Sequence, residues 1–190
     1  YFGFSRGLQK APRYKENVAF GLSNIGLAER CLGEVERIAT QIDGGRDAVL
    51  GALMQADVLI AQMRFSQAIG LVSELLARPH VATDPALVAR GTCTVAWAHY
   101  GQGAYPLARS LCSVLRSTPR NSTSTRLQMN TEILAALLDA RSGRTEAAVR
   151  SVCTALELLM QHGPLPEEQL DLVNAAELAV HLRRPDLAAP

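Results

Sequence analysis

The chain is expected to be an all-α protein, built of antiparallel helix pairs stacked into a superhelical array. Three observations predict this. Of 190 residues, 28 are Ala and 27 are Leu, a composition that favours helix over the β-branched and aromatic mixture of sheets. Small residues recur at a fixed step along the chain. Gly and Pro fall between the stretches that carry helical periodicity, where they end or open helices. The chain is 48% hydrophobic with a net charge of +1, which argues against disorder and gives no electrostatic reason to seek nucleic acid.

The step is 40 residues. Ala68, Ala108 and Ala148 form one column, extended in both directions by Ala28 and Ala188. Ala56, Ala96, Ala136 and Ala176 form a second column in the same register. After the first column come Val72, Cys112 and Val152, then Leu75, Leu115 and Ala155, which are successive positions on one helical face. A small residue in each of two antiparallel helices lets their backbones approach closely. Pairs of this kind leave apolar faces open unless they stack, so an array follows.

Taken in order, residues 1–22 depart from the register, since Glu16 stands where the second column predicts Ala. They hold Tyr1, Phe2, Phe4, Tyr14 and Phe20 with Arg6, Lys10, Arg13 and Lys15, and are read as a capping segment or a partner-binding arm. Residues 23–42 are predicted to be a second helix with Leu32, Val35 and Ile38 inward, ending at Gly44-Gly45. First helices of later pairs are predicted at 46–62, 85–101, 124–141 and 167–182, and second helices at 65–78, 105–117 and 145–161. Asp84-Pro85 reads as an N-cap followed by Pro at the first helical position. Pro79 and Pro119 are expected to stop second helices, and 117–125 to be a polar connector. The turns carry Gly103 and Gly143, suited to a left-handed backbone, with Met63 at the equivalent place. Phe65 and Tyr105 follow and are expected to cover the turns. The register still runs at Ala188, so the array, spanning 23–190, is expected to continue past residue 190.

These columns resemble the tetratricopeptide repeat. Ala56, Ala96, Ala136 and Ala176 match the small residue of its first helix. Gly103 and Gly143 match the turn glycine, Phe65 and Tyr105 the turn aromatic, and Ala68, Ala108 and Ala148 the small residue of the second helix. Pro79 and Pro119 lie near the closing proline. The period of 40 is longer than the family's usual spacing, and Thr145 replaces the aromatic in the last turn. Repeats of this length are similar to regulatory regions of bacterial transcription activators and to stand-alone adaptors.

The resemblance implies a right-handed solenoid that binds a protein or peptide segment in a groove lined by first helices. By family position the groove would show Leu50, Leu53, Asp57 and Ile60; Arg90, Cys93, Trp97 and Tyr100; Asn130, Ile133 and Leu137; and Val173 and Glu177. Of these, Asp57, Ile60, Arg90, Trp97, Tyr100, Asn130 and Glu177 are the candidate partner-binding residues. Leu53, Cys93 and Ile133 stand where chaperone-tail binders of the family carry basic or amide clamps, which argues against that role. Trp97 and Tyr100 offer large contact area at low entropic cost, as interface hot spots do.

The search for chemistry returns little. Cysteines 31, 93, 112 and 153 contain no C-x-x-C pair, so no zinc knuckle or redox motif is expected, and the cysteines read as small buried residues in a reducing compartment. No phosphate-binding, dinucleotide or H-E-x-x-H motif occurs. His80, His99, His162 and His181 have no partner at ligand spacing. No metal or cofactor is expected, and no enzymatic activity. No run approaches the length of a membrane span and no signal peptide is visible, so a cytoplasmic location is expected. The 17 Arg against Lys10 and Lys15 hint at a GC-rich bacterial source. The leading expectation is a protein-binding scaffold; the alternatives are a sensing domain of a bacterial transcription regulator and a self-association domain.

Overall fold

A computed structural model describes residues 45–119 and 123–162, and every regular element in them is helical. The helices are α1 (Arg46–Ala61), α2 (Phe65–Leu76), α3 (Pro79–Ala82), α4 (Pro85–Gly101), α5 (Tyr105–Ser117), α6 (Thr125–Arg141) and α7 (Thr145–His162). The segment 1–22, read as a cap or arm, and the predicted helices at 23–42 and 167–182 lie outside the described residues. The chain divides into two compact units, one ending at Gln102 and the other beginning at Gly103.

In the first unit α1 turns back through Gln62-Met63-Arg64 into α2, and both pack on α4. The turn is a left-handed helix stop. Met63 has φ 63°, its N–H bonds to the Ile60 carbonyl at 2.9 Å, and the Arg64 N–H reaches back to the Leu59 carbonyl at 2.8 Å. These are the two bonds of a Schellman motif. Pro79 does more than end α2: it opens the four-residue α3 as its first helical residue. Asp84 caps α4 as expected, accepting from the N–H groups of Ala86 at 2.9 Å and Leu87 at 3.2 Å. The core is Val49, Leu53, Ala56, Ala68, Val72, Leu75, Val81 and Leu87.

In the second unit α5 packs on α6, and α6 on α7. Ser124 caps α6 by accepting from the Leu127 N–H at 3.2 Å. The α6–α7 turn repeats the Schellman geometry: Gly143 has φ 71°, with bonds from Gly143 N–H to Ala140 O at 3.1 Å and from Arg144 N–H to Asp139 O at 2.9 Å.

The step of 40 recurs in the turns and helix starts. Positive φ falls at Met63, Gly103 and Gly143, and α2, α5 and α7 begin at residues 65, 105 and 145. Ala56, Ala96 and Ala136 are fully buried, as are Ala108 and Ala148, with Ala68 nearly so. A bulkier side chain at these positions has no room.

Packing contacts repeat with the same step inside each unit. In the first unit, Val72 of α2 lies 3.2 Å from where a Cβ on Gly91 of α4 would sit. In the second, Cys112 of α5 donates to the carbonyl of Thr131 of α6 at 3.5 Å. Phe65 presses on Gly101, and Arg141 sits 4.4 Å over the ring of Tyr105. The aromatic that opens a second helix therefore rests on the last residue of the following first helix, and not simply on its own turn.

Candidate functional site

The expected groove row divides into two sets. Leu53, Cys93, Ile133 and Leu137 are buried and line no groove. Their place follows from helical spacing. Val49, Leu53 and Ala56 form an i, i+4, i+7 stripe, and Ala89, Cys93, Ala96 and Met129, Ile133, Ala136 repeat it; all nine are buried. That stripe is the core face of each first helix.

The other candidates stay partly open. Asp57 and Ile60 on α1, and Arg90, Trp97 and Tyr100 on α4, are all half-buried in the first unit. Arg90 ion-pairs with Asp57 through Oδ2, and the buried Thr94 hydroxyl donates to Asp57 Oδ1 at 3.1 Å. The pair ties α1 to α4. With both side chains about a third exposed, its contribution is at most about 1 kcal/mol. Ile60 packs on the edge of the core. Trp97 and Tyr100, one turn apart, meet edge to face with ring centroids 6.0 Å apart and planes at 76°, a favoured aromatic geometry. Asn130 is half-buried on α6 of the second unit. Glu177 and Val173 lie outside the described residues.

The structure adds polar clusters that the sequence did not flag. In the second unit the buried carboxylate of Asp139 accepts from Arg109 at 2.7 Å and from Arg144 at 2.6 Å. Arg109 also donates to the Leu138 carbonyl at 2.7 Å and to the Ser142 hydroxyl at 2.8 Å, so one guanidinium fastens α5 to the end of α6. Arg116 pairs with Glu132 and donates to the buried Ser151 hydroxyl at 2.6 Å, linking α5, α6 and α7. The available signal was a lone acid, Asp139, inside the apolar run 133–140.

His99 occupies the Asp139 position one step earlier, and its Nδ1 is buried without a hydrogen-bond partner. Ile69 stands where Arg109 stands in the second unit, so the register supplies no charged side chain to that nitrogen.

Two observations bear on chemistry. Burial pushes the Cys112 thiol up to about 11, which holds it in the protonated, unreactive form. Among the described residues no group of three or more His, Cys, Asp or Glu could hold a metal ion. A cleft in the second unit, lined by Leu115, Thr118, Gln128, Glu132, Thr154 and Leu158 among others, measures about 60 Å³, whereas small-molecule sites run to roughly 300–1,000 Å³. Among the described residues no helix is long and apolar enough to cross a membrane.

Compared with protein-family models, with curated proteins and with solved structures, the chain finds no match.

Proposed function

We propose that the chain is a non-enzymatic binding module whose first helices hold a protein or peptide segment. The carrying observation is the half-open Trp97–Tyr100 pair on α4, on the same two-helix face as Asp57, Ile60 and Arg90. Paired aromatics beside an apolar side chain offer a partner large area to bury. Asp57 and Arg90 are already engaged with each other, so the ionic part of the face is internally balanced. The expected ligand is therefore a segment with apolar and aromatic anchors, and not one recognised by its charge. The 40-residue register of turns and buried alanines supports a tetratricopeptide-like solenoid as the scaffold for that face.

Trp97 is the only tryptophan of the chain, which makes the test direct. A library of apolar and acidic peptides is titrated against the protein while tryptophan emission is followed. The expected outcome is saturable change with the apolar set, lost in Tyr100→Ala. Emission that stays strongly blue-shifted, resists quencher and responds to no peptide would sink the proposal.

A further inference from the structure

The cleft of the second unit is bordered by α5, α6 and α7 in the same way. Each helix gives it one leucine and one threonine: Leu115 and Thr118 at the end of α5, Leu127 and Thr131 on α6, Thr154 and Leu158 on α7. The three leucines are buried. The three threonine hydroxyls have all given their protons to a carbonyl one turn back in their own helix. Thr118 donates to Val114 at 3.1 Å, Thr131 to Leu127 at 2.8 Å and Thr154 to Arg150 at 3.1 Å. A hydroxyl engaged like this keeps only lone pairs for a further partner, so toward the cleft it accepts. Arg116 and Glu132 also border the cleft and pair with each other, which leaves the lining without net charge. Nε and Nη2 of Arg116 are taken up by Glu132 and Ser151, so Nη1 is the donor that is left. The volume of about 60 Å³ has room for about two waters, at roughly 30 Å³ each, or for one small polar group.

We propose that this cleft takes a primary carboxamide, the group carried by an Asn or Gln side chain or by a small free amide. The match is one of donors to acceptors. A carboxamide has two N–H donors on one nitrogen and a carbonyl acceptor beside it. The threonine oxygens accept from the nitrogen, and Nη1 of Arg116 donates to the carbonyl. The balanced charge sorts the other small groups. An ammonium supplies donors, but it sets an unpaired positive charge beside Arg116 and loses hydration against three leucines. A carboxylate brings only acceptors to a lining whose threonines also only accept. A hydrocarbon group shuts water out and leaves the hydroxyl oxygens and Nη1 without partners. The site is built within the second unit and uses none of the residues of the Trp97–Tyr100 face. It is a subsite for one group, distinct from the face that holds a partner by apolar area.

The test is a titration of the full chain, followed by NMR at the methyl groups of Thr131 and Thr154. The probe is acetamide, with acetate and methylammonium as controls of similar size, at the high concentrations that fragments this small require. Acetamide is expected to give saturable shifts at both methyls and to bind about fivefold tighter than either control, the worth of one ordinary hydrogen bond. A blocked alanine peptide with a single glutamine, run against the same peptide with glutamate, separates the two sources. Tighter binding of the glutamine peptide than of acetamide assigns the cleft to a partner's side chain. Binding of acetamide without the peptide assigns it to a free amide. Thr154→Val keeps the shape of the side chain and removes one acceptor, and is expected to weaken acetamide by about fivefold, read at Thr131. The selectivity among the probes is measured in the unaltered chain and does not depend on that variant's stability. Equal shifts from the three probes, no saturation with any of them, or an unchanged affinity in Thr154→Val overturns the proposal and leaves the cleft to water.

Discussion

The ring of Phe65 fills the space into which a side chain at Gly101 would project. The two residues belong to α2 and α4, so this contact sets how closely the helices approach near the end of α4. Gly101→Val forces the ring out of a buried site, and overpacking of this kind costs roughly 1–3 kcal/mol. Urea denaturation should show that loss. Gly70 supplies the contrast, since nothing lies within 4 Å of a Cβ built there. Gly70→Ala is expected to stabilise α2 by about 0.5–1 kcal/mol through helix propensity.

Met63 holds a left-handed backbone that its equivalents, Gly103 and Gly143, adopt without a side chain. For a non-glycine residue this conformation costs about 1–2 kcal/mol, partly offset by the smaller unfolded-state entropy of Met. Met63→Gly is expected to stabilise by roughly 0.5–1 kcal/mol, while Gly143→Ala destabilises. Paired thermal melts check both signs, and a lower melting temperature for Met63→Gly refutes the strain argument.

Asp139 is the acceptor on which Arg109 and Arg144 converge. Asp139→Ala removes a buried acceptor and strands two guanidinium groups. Breaking a buried pair costs roughly 3–5 kcal/mol, and the partial exposure of both arginines lowers the expectation to about 2 kcal/mol. Arg144→Ala, which leaves the Arg109 contact intact, is expected to cost less than half as much. Equal losses in the two variants would show that the cluster does not share its load in this way.

Cys112 gives a pH dependence with a defined sign. Desolvation holds its folded-state pKa near 11 against an ordinary value of 9.0. The unfolded chain therefore releases that proton first, and the thiol's contribution is full below pH 9. It falls as pH rises from about 9 to about 11, by roughly 2–3 kcal/mol in total. Wild type is expected to lose more stability over that window than Cys112→Ala, measured as the difference between their denaturation midpoints at each pH. Parallel curves refute it.

Much of the fold was legible because it rests on small residues at a fixed step. Ala56, Ala96 and Ala136 announce close helix approach wherever they fall, and the turns at 63, 103 and 143 follow from the same register. The groove row was only half legible. Leu53, Cys93 and Ile133 share the register of the exposed face but also fall on the i, i+4, i+7 stripe that meets the neighbouring helices, and burial wins there. The Asp139 cluster was not legible, since Arg109 lies 30 residues away on another helix and no periodicity links an arginine to an acid at that distance. Pro79 ends α2 as expected, but α3 was not legible: Pro79 suits the first turn of that short helix as well as it forbids the continuation of α2.

The cross-helix hydrogen bonds have a kinetic consequence. Asp57 and Thr94 are 37 residues apart, Arg116 and Ser151 35, and Arg116 and Glu132 16. Each closes a short loop, and the entropic cost of closure grows only slowly with length. Low contact order of this kind goes with rapid folding. It also means that each such bond is satisfied by a stretch of chain no longer than one 40-residue step. Nascent chain emerging during synthesis can therefore form these bonds soon after the second partner appears, well before the last residue is made.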